Sequence, residues 1–182
     1  MTRTVTIFKN ITDTATPFHV GIDVVLDRIR NGKSKELVTG IRKQKNKSER
    51  NDLKKQLPSI CFSGKFSKRA DNSILEHSGI ICLDFDGYEK QKDLIQDKEK
   101  MMKDKYTYCV FISPSGNGLK VLVKIPNDAE NHTKYFQSLE KYYNSNYFDT
   151  TSKNISRVCY ESYDPLIYFN ENSTQWEKIE EP

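Results

Sequence analysis

The residues Gly79-Ile80-Ile81-Cys82-Leu83 form an unbroken small and apolar run that passes directly into Asp84-Phe85-Asp86-Gly87. A short apolar run without alternation suits a central strand covered on both faces. Such a strand needs layers packed on both sides of it, which calls for a mixed helix-and-sheet fold with a sizeable core. Residues two apart on a strand face the same way, so this strand would deliver two carboxylates to one edge. Paired carboxylates repel unless a cation lies between them, and hard oxygen ligands suit Mg²⁺ or Mn²⁺. The competing reading is that Asp84 or Asp86 only caps the following turn.

The rest of the chain supplies elements for the same fold. Thr4–Phe8 alternates as a strand. Ile22, Val25, Leu26 and Ile29 recur at helical spacing before Gly32, and a second helix starts near Ser34. Residues 42–55, very basic and nearly free of apolar anchors, read as a mobile loop or frayed helix. A short strand over 57–64, a helix over 89–105, and strands at 106–112 and 119–125 follow. Next come a helix over 131–144, with Tyr135, Phe136, Leu139 and Tyr142 on one side, a strand over 155–160 and an edge strand at 166–169. Asp164-Pro165 marks a turn, and His77 is read as structural or exposed. The length of 182 residues and this order predict one α+β domain.

Charge is divided along the chain. Residues 1–70 hold 16 Lys and Arg against 6 Asp and Glu, whereas residues 71–182 hold 13 against 19. A basic half beside an acidic half suggests polyanion contact on one side and cation binding on the other, with a solvated basic helix face as the alternative. Mean hydropathy is -0.74. No apolar run approaches the roughly 20 residues needed to span a bilayer, and Met1-Thr2-Arg3-Thr4-Val5 lacks the apolar core of an export signal. Cys61, Cys82, Cys109 and Cys159 are too scattered for a zinc ribbon or disulfide scaffold. A cytoplasmic protein with reduced thiols is expected.

Two further groups carry chemistry. Ser113-Pro114-Ser115-Gly116-Asn117-Gly118 joins two strands as a hairpin tip whose glycines let the backbone approach a ligand. Ser113 and Ser115 can donate to phosphate oxygens, and Lys120 opens the outgoing strand. An ordinary hairpin tip would have the same turn residues. Asp149, after Tyr147-Phe148, would add a third carboxylate, and Arg157 could grip a phosphate in its planar fork; a surface ion pair is the plainer account. Three acids, a Gly/Ser loop, a Lys and an Arg are the parts of metal-assisted nucleotidyl transfer.

In this order the motifs resemble the archaeo-eukaryotic primase (primase-polymerase) superfamily. LPSICFSGKF (57–66), SGIICLDFDG (78–87), SPSGNGLKVLV (113–123) and SRVCYESYDP (156–165) are similar to its VirE N-terminal-like, BT4734-like primase domains, from about residue 5 to residue 170. The resemblance implies a primase-polymerase core with an RRM-like sheet unit, a smaller N-terminal α/β unit and the active site in the cleft between them. It places a basic N-terminal unit at 1–77, the metal-binding unit at 78–170 and an acidic tail at 171–182. Asp84, Asp86 and Asp149 would hold Mg²⁺ or Mn²⁺. Ser113, Ser115, Gly116, Asn117, Gly118, Lys120 and Arg157 would bind the nucleotide, with Lys120 standing where many members carry His. The implied activity is template-directed joining of nucleoside triphosphates on single-stranded DNA, with a separate helicase or other replication protein as partner and no membrane. Lys54, Lys55, Phe62, Lys65, Lys68 and Arg69 would contact the nucleic acid, aided by Phe66. One alternative is a non-catalytic single-stranded nucleic-acid binder, in which cations track phosphates and rings stack on bases. The other is a haloacid-dehalogenase-like phosphatase, disfavoured by the 83 residues before Asp84, by Tyr88, and by the lack of an acidic pair in the right context after Lys120.

Overall fold

The computed structural model describes residues 2–179; Met1 and residues 180–182, the end of the acidic tail, lie outside the described residues. The chain begins with β1 (Thr4–Phe8), β2 (Phe18–Gly21), α1 (Ile22–Asn31), α2 (Lys35–Lys43) and α3 (Lys47–Lys54). It continues through β3 (Ser59–Cys61), β4 (Gly64–Phe66), β5 (Ile74–His77), β6 (Ile80–Phe85) and α4 (Gln91–Lys103). It ends with β7 (Thr107–Ile112), β8 (Leu119–Lys124), α5 (His132–Tyr143), β9 (Cys159–Tyr160) and β10 (Tyr168–Phe169). The strands form one four-stranded sheet in the order β2-β1-β3-β9, another in the order β10-β7-β8-β6, and a β4-β5 ribbon. All their pairings are antiparallel. The fold class is α+β.

β6 lies at a sheet edge, not at the centre as its apolar run suggested; β8 is its one sheet neighbour. Burial on both faces comes from layering instead. Ile81, Leu83 and Phe85 pack with Leu94 of α4 and with Phe136 and Leu139 of α5. On the other face Ile80 and half-buried Cys82 meet Ile60, Phe62 and Cys159, so this face closes against the first sheet. The outer edge is covered by the chain at 147–149. Phe85 bridges Phe148, the Asp86 N–H donates to the Tyr147 carbonyl at 2.8 Å, and the Asp149 N–H donates to the Asp84 carbonyl at 2.8 Å.

α1 buries the four apolar residues expected of it and stops at Gly32, whose φ of +83° closes the last turn. Residues 47–54 form a defined helix, α3, where the sequence suggested a mobile or frayed segment. The Asn46 side chain caps it, accepting from the Glu49 N–H at 3.1 Å, while Gln44 Nε2 donates to Glu49 Oε2 at 2.7 Å. None of its residues is buried, which is why hydrophobic periodicity did not reveal it. Of the strand expected over 155–160, only Cys159–Tyr160 pairs, with β3; Ile155 and Val158 instead pack on Phe8, Cys61 and Phe66. On α5, Tyr135, Phe136 and Leu139 are buried, whereas Tyr142 is 43% exposed and donates to Asp104 at 2.9 Å. The tail enters the core at Trp176, which is buried and donates its indole N–H to Ser138 Oγ at 3.1 Å.

Candidate active site

The edge position of β6 is what assembles the acids. Asp84 sits in cross-strand register with Lys120 of β8, Asp86 follows one residue past the strand, and the covering segment carries Asp149 alongside. One oxygen from each of Asp84, Asp86 and Asp149 lies within 4.8 Å of the others. Thr151 donates from N and Oγ1 to Asp149 Oδ1 at 2.9 and 2.6 Å. Ser152 Oγ donates to Asp149 Oδ2 at 2.7 Å and lies 3.3 Å from Asp84 Oδ2. Thr151 therefore orients the third acid, and Ser152 links it to the first.

Asp149 and Asp86 are tuned in opposite directions. Burial acts to raise Asp149, but the Thr151 and Ser152 bonds outweigh it and hold this group below the ordinary aspartate range. Asp86 shifts the other way: lost hydration raises it, with Asp84 and Asp149 adding to the effect against the pull of Lys120. Lys120 Nζ stands 2.9 Å from Asp84 Oδ1. Burial disfavours its charge, yet Asp84 and Asp86 prevail and raise it above the ordinary lysine range. Three hard-oxygen carboxylates thus face one tightly bound ammonium, with Arg157 half exposed at 4.0 Å from Asp149. That excess of negative charge and that donor chemistry fit a divalent cation. Among the described residues no other trio of His, Cys, Asp or Glu gathers in this way.

The hairpin between β7 and β8 packs against the acids. Its tip closes through Ser113 N–H to the Gly118 carbonyl and Gly116 N–H to the Ser113 carbonyl, both at 2.9 Å. Gly118 is a point of close approach. A Cβ there would come within 2.6 Å of Asp86 Oδ1 and 2.9 Å of the Phe85 carbonyl oxygen. Arg42 holds the tip by donating to the Ser113 and Tyr163 carbonyls at 3.1 and 2.9 Å. Beneath it, buried Asp164 accepts from the Ile112 N–H and from Lys98 Nζ, each at 2.9 Å. The Asp164-Pro165 turn is therefore a brace for the hairpin. Ser113 Oγ is buried without a hydrogen-bond partner at the wall of the cleft.

That cleft measures about 820 Å³, within the roughly 300–1,000 Å³ of small-molecule sites. Asp84, Asp86, Asp149, Ser113, Ser115, Asn117, Lys120 and Arg157 all line it, as do Lys54 and Arg69 of the expected nucleic-acid contacts. Lys55 turns to Asp52 at 3.2 Å, Lys65 lies across from Glu76 in the ribbon, and Lys68 is exposed. Phe62 requires correction. It is 1% exposed and fills the core against Phe111, so its ring offers no face to a base; Phe66 is likewise buried. Lys47, Arg50 and Asn51 of α3 also line the cleft and were not anticipated. The available signal was the i, i+3, i+7 spacing of cations at 47, 50 and 54. Burial, with Arg50, Lys120 and Lys47 nearby, pulls Lys54 below the ordinary lysine range despite Asp86. His77 lies outside the cleft. It is buried, accepts the Gly79 N–H on Nδ1 at 2.9 Å, and meets His132 Nδ1 through Nε2 at 3.1 Å.

A sequence model of the BT4734-like, N-terminal domain family matches residues 52–169. That span contains the three acids, the hairpin and Arg157, and it begins later than the start near residue 5 read from the four segments. No curated protein matches the chain. Among solved structures, the AEP domain of the cyanophage S-2L primase-polymerase is similar, with a TM-score of 0.49 and 14% sequence identity over 97% of this chain and 84% of that one. No helix among the described residues is long and apolar enough to cross a membrane.

Proposed function

Since the chain belongs to the BT4734-like N-terminal domain family, we propose that it is a template-directed nucleotidyltransferase: a primase-polymerase domain that joins nucleoside triphosphates on single-stranded DNA. The observation that carries this reading is the meeting of Asp84, Asp86 and Asp149 within 4.8 Å of one another, beside a hairpin whose Ser113 hydroxyl is buried and unpartnered. The motif resemblance to primase-polymerases supports it.

In this reading the three aspartates hold Mg²⁺ or Mn²⁺, which when bound supplies charge stabilisation at the reacting phosphoryl group and activates the nucleophile. The chain's own residues do the rest. Ser113, Ser115 and the Gly116–Gly118 backbone receive the triphosphate from the hairpin side, and the Arg157 guanidinium meets it from the solvent side. Lys120 neutralises Asp84 and presents its remaining donors towards the cleft. Thr151 and Ser152 keep Asp149 ionised and oriented. The braced hairpin fixes the nucleotide relative to the acids, so that positioning and electrostatics carry the catalysis. The smaller unit at 1–77 and the sheet unit at 78–170 form the two walls, and Lys65, Lys68 and Arg69 guide the template.

The test is incorporation of labelled deoxy- and ribonucleotides on a primed single-stranded template, with Mn²⁺, Mg²⁺ or chelator. Metal-dependent extension is expected, reduced at least about 1,000-fold in Asp86→Asn and in Asp149→Asn. Extension that persists in chelator or in these variants would overturn the reading. The basic cleft also favours a second reading, a single-stranded nucleic-acid binder. A pure binder keeps its oligonucleotide affinity in chelator and gains nothing from nucleotide with Mn²⁺.

A further inference from the structure

We infer that the cleft-facing side of α3, through Arg50 and Lys54 together with Ser113, is a phosphate-gripping subsite for the tail of the incoming nucleoside triphosphate. The inference rests on the nucleotidyltransferase reading and assigns that site's substrate contacts to an element the motifs do not include.

The cations of α3 fall into two groups. Lys55, just past its end, pairs with Asp52. Lys47, Arg50 and Lys54 line the cleft instead, and among the described residues none of the three has a carboxylate within the 4.0 Å of an ion pair. Arg50 Nε is buried with no hydrogen-bond partner, and so is Ser113 Oγ, on a residue only 4% exposed. Unsatisfied buried donors are rare in folded proteins and are costly to leave unmade. Two of them in the wall of one cleft, beside a row of unpaired cations, mark a place built for an anion with several acceptor oxygens.

The location selects the nucleotide tail over the template backbone. Lys120 is already engaged by Asp84 at 2.9 Å, so its charge is not free to neutralise a triphosphate alone. The α3 cations share the cleft with Asp86 and Ser113. A triphosphate whose reacting phosphorus lies at the acids must run its tail past the neighbouring wall, whereas a template strand has no need to approach the acids so closely. Only Leu53 of this helix packs on the core, against Val38, Ile41 and Leu57, so its cleft-facing cations are left to the ligand.

The experiment uses the full chain and two anions in chelator: inorganic tripolyphosphate and a single-stranded oligonucleotide. Their dissociation constants are measured calorimetrically for the wild type, Arg50→Gln, Lys54→Gln and the double variant, with Arg50→Lys as the charge-conserving control and circular dichroism to verify folding. Each neutralisation is expected to weaken tripolyphosphate binding about tenfold and leave oligonucleotide affinity within about twofold. Arg50→Lys should recover part of the loss, and the KM for nucleoside triphosphate should rise while that for primed template holds. Unchanged tripolyphosphate affinity in the double variant would overturn the subsite, and so would a loss confined to the oligonucleotide, which would assign α3 to the template. These outcomes separate from failure of the functional reading, in which the wild type neither binds Mn²⁺ nor extends a primer whatever α3 does.

Discussion

Asp84 and Asp86 are two residues apart, yet removing their charges has opposite consequences. The Asp86 carboxyl is raised by lost hydration and by its acidic neighbours. A carboxyl with a raised folded pKa favours the fold when protonated and loses that contribution as pH rises through the shifted value. Asp86→Asn should therefore raise the thermal midpoint at neutral pH while abolishing Mn²⁺ binding, read by calorimetry and metal titration. Asp84 is ion-paired with Lys120, and both side chains are 12% exposed. Asp84→Asn leaves that ammonium without its partner, at a cost approaching the ~3–5 kcal/mol of a broken buried pair. A midpoint that rises in Asp84→Asn would contradict the pairing. Gly118→Ala places a methyl 2.6 Å from Asp86 Oδ1 and 2.9 Å from the Phe85 carbonyl oxygen. Because the carbonyl is backbone, the hairpin must move; a loss of about 1–3 kcal/mol and at least tenfold weaker Mn²⁺ binding are expected.

At the scale of elements, α3 depends on its ends. Replacing Asn46 by Ala removes the side-chain acceptor at 3.1 Å from the Glu49 N–H and should cost about 1 kcal/mol of local stability. Amide exchange of residues 47–54 should then accelerate while that of β7 and β8 stays unchanged. This helix also shows where sequence reading failed. Amphipathic α1 was readable because Ile22, Val25, Leu26 and Ile29 meet the core, and the β7–β8 hairpin because turn chemistry is local. α3 has no apolar stripe to read, and its meaning lies in a cation spacing that matters only once the cleft exists. β6 was readable as a doubly covered strand ending in paired carboxylates, but not as an edge strand. Side-chain alternation reports what covers each face, whereas the edge of this strand is covered by backbone from Tyr147–Asp149. Phe62 misled for a similar reason: a phenylalanine near lysines looks open until the second sheet closes over it.

Across the whole molecule, buried polar pairs tie helices to the strands and turns beside them. Lys98 Nζ stands 2.9 Å from Asp164 Oδ2, with side-chain exposures of 8% and 4%. Lys98→Met strands the aspartate beneath the hairpin and should destabilise the protein by about 3–5 kcal/mol, measured by urea unfolding. His77 and His132 report pH globally. Burial lowers them from 6.5 to about 4 and about 3, so both are neutral in the fold. The unfolded chain takes up these protons first, so stability holds above pH 6.5 and declines as pH falls towards 4. Equal unfolding free energies at pH 7.5 and pH 5 would contradict this.

The bond from Ser152 to Asp84 spans 68 positions of the chain, and β9, which seals the first sheet, comes later still. During synthesis the first two aspartates emerge well before the stretch that completes their set. Growing or prematurely terminated copies therefore carry an unfinished centre. The acidic set is complete only when residues 147–152 lie along the edge of β6, a pairing of chain segments far apart in sequence.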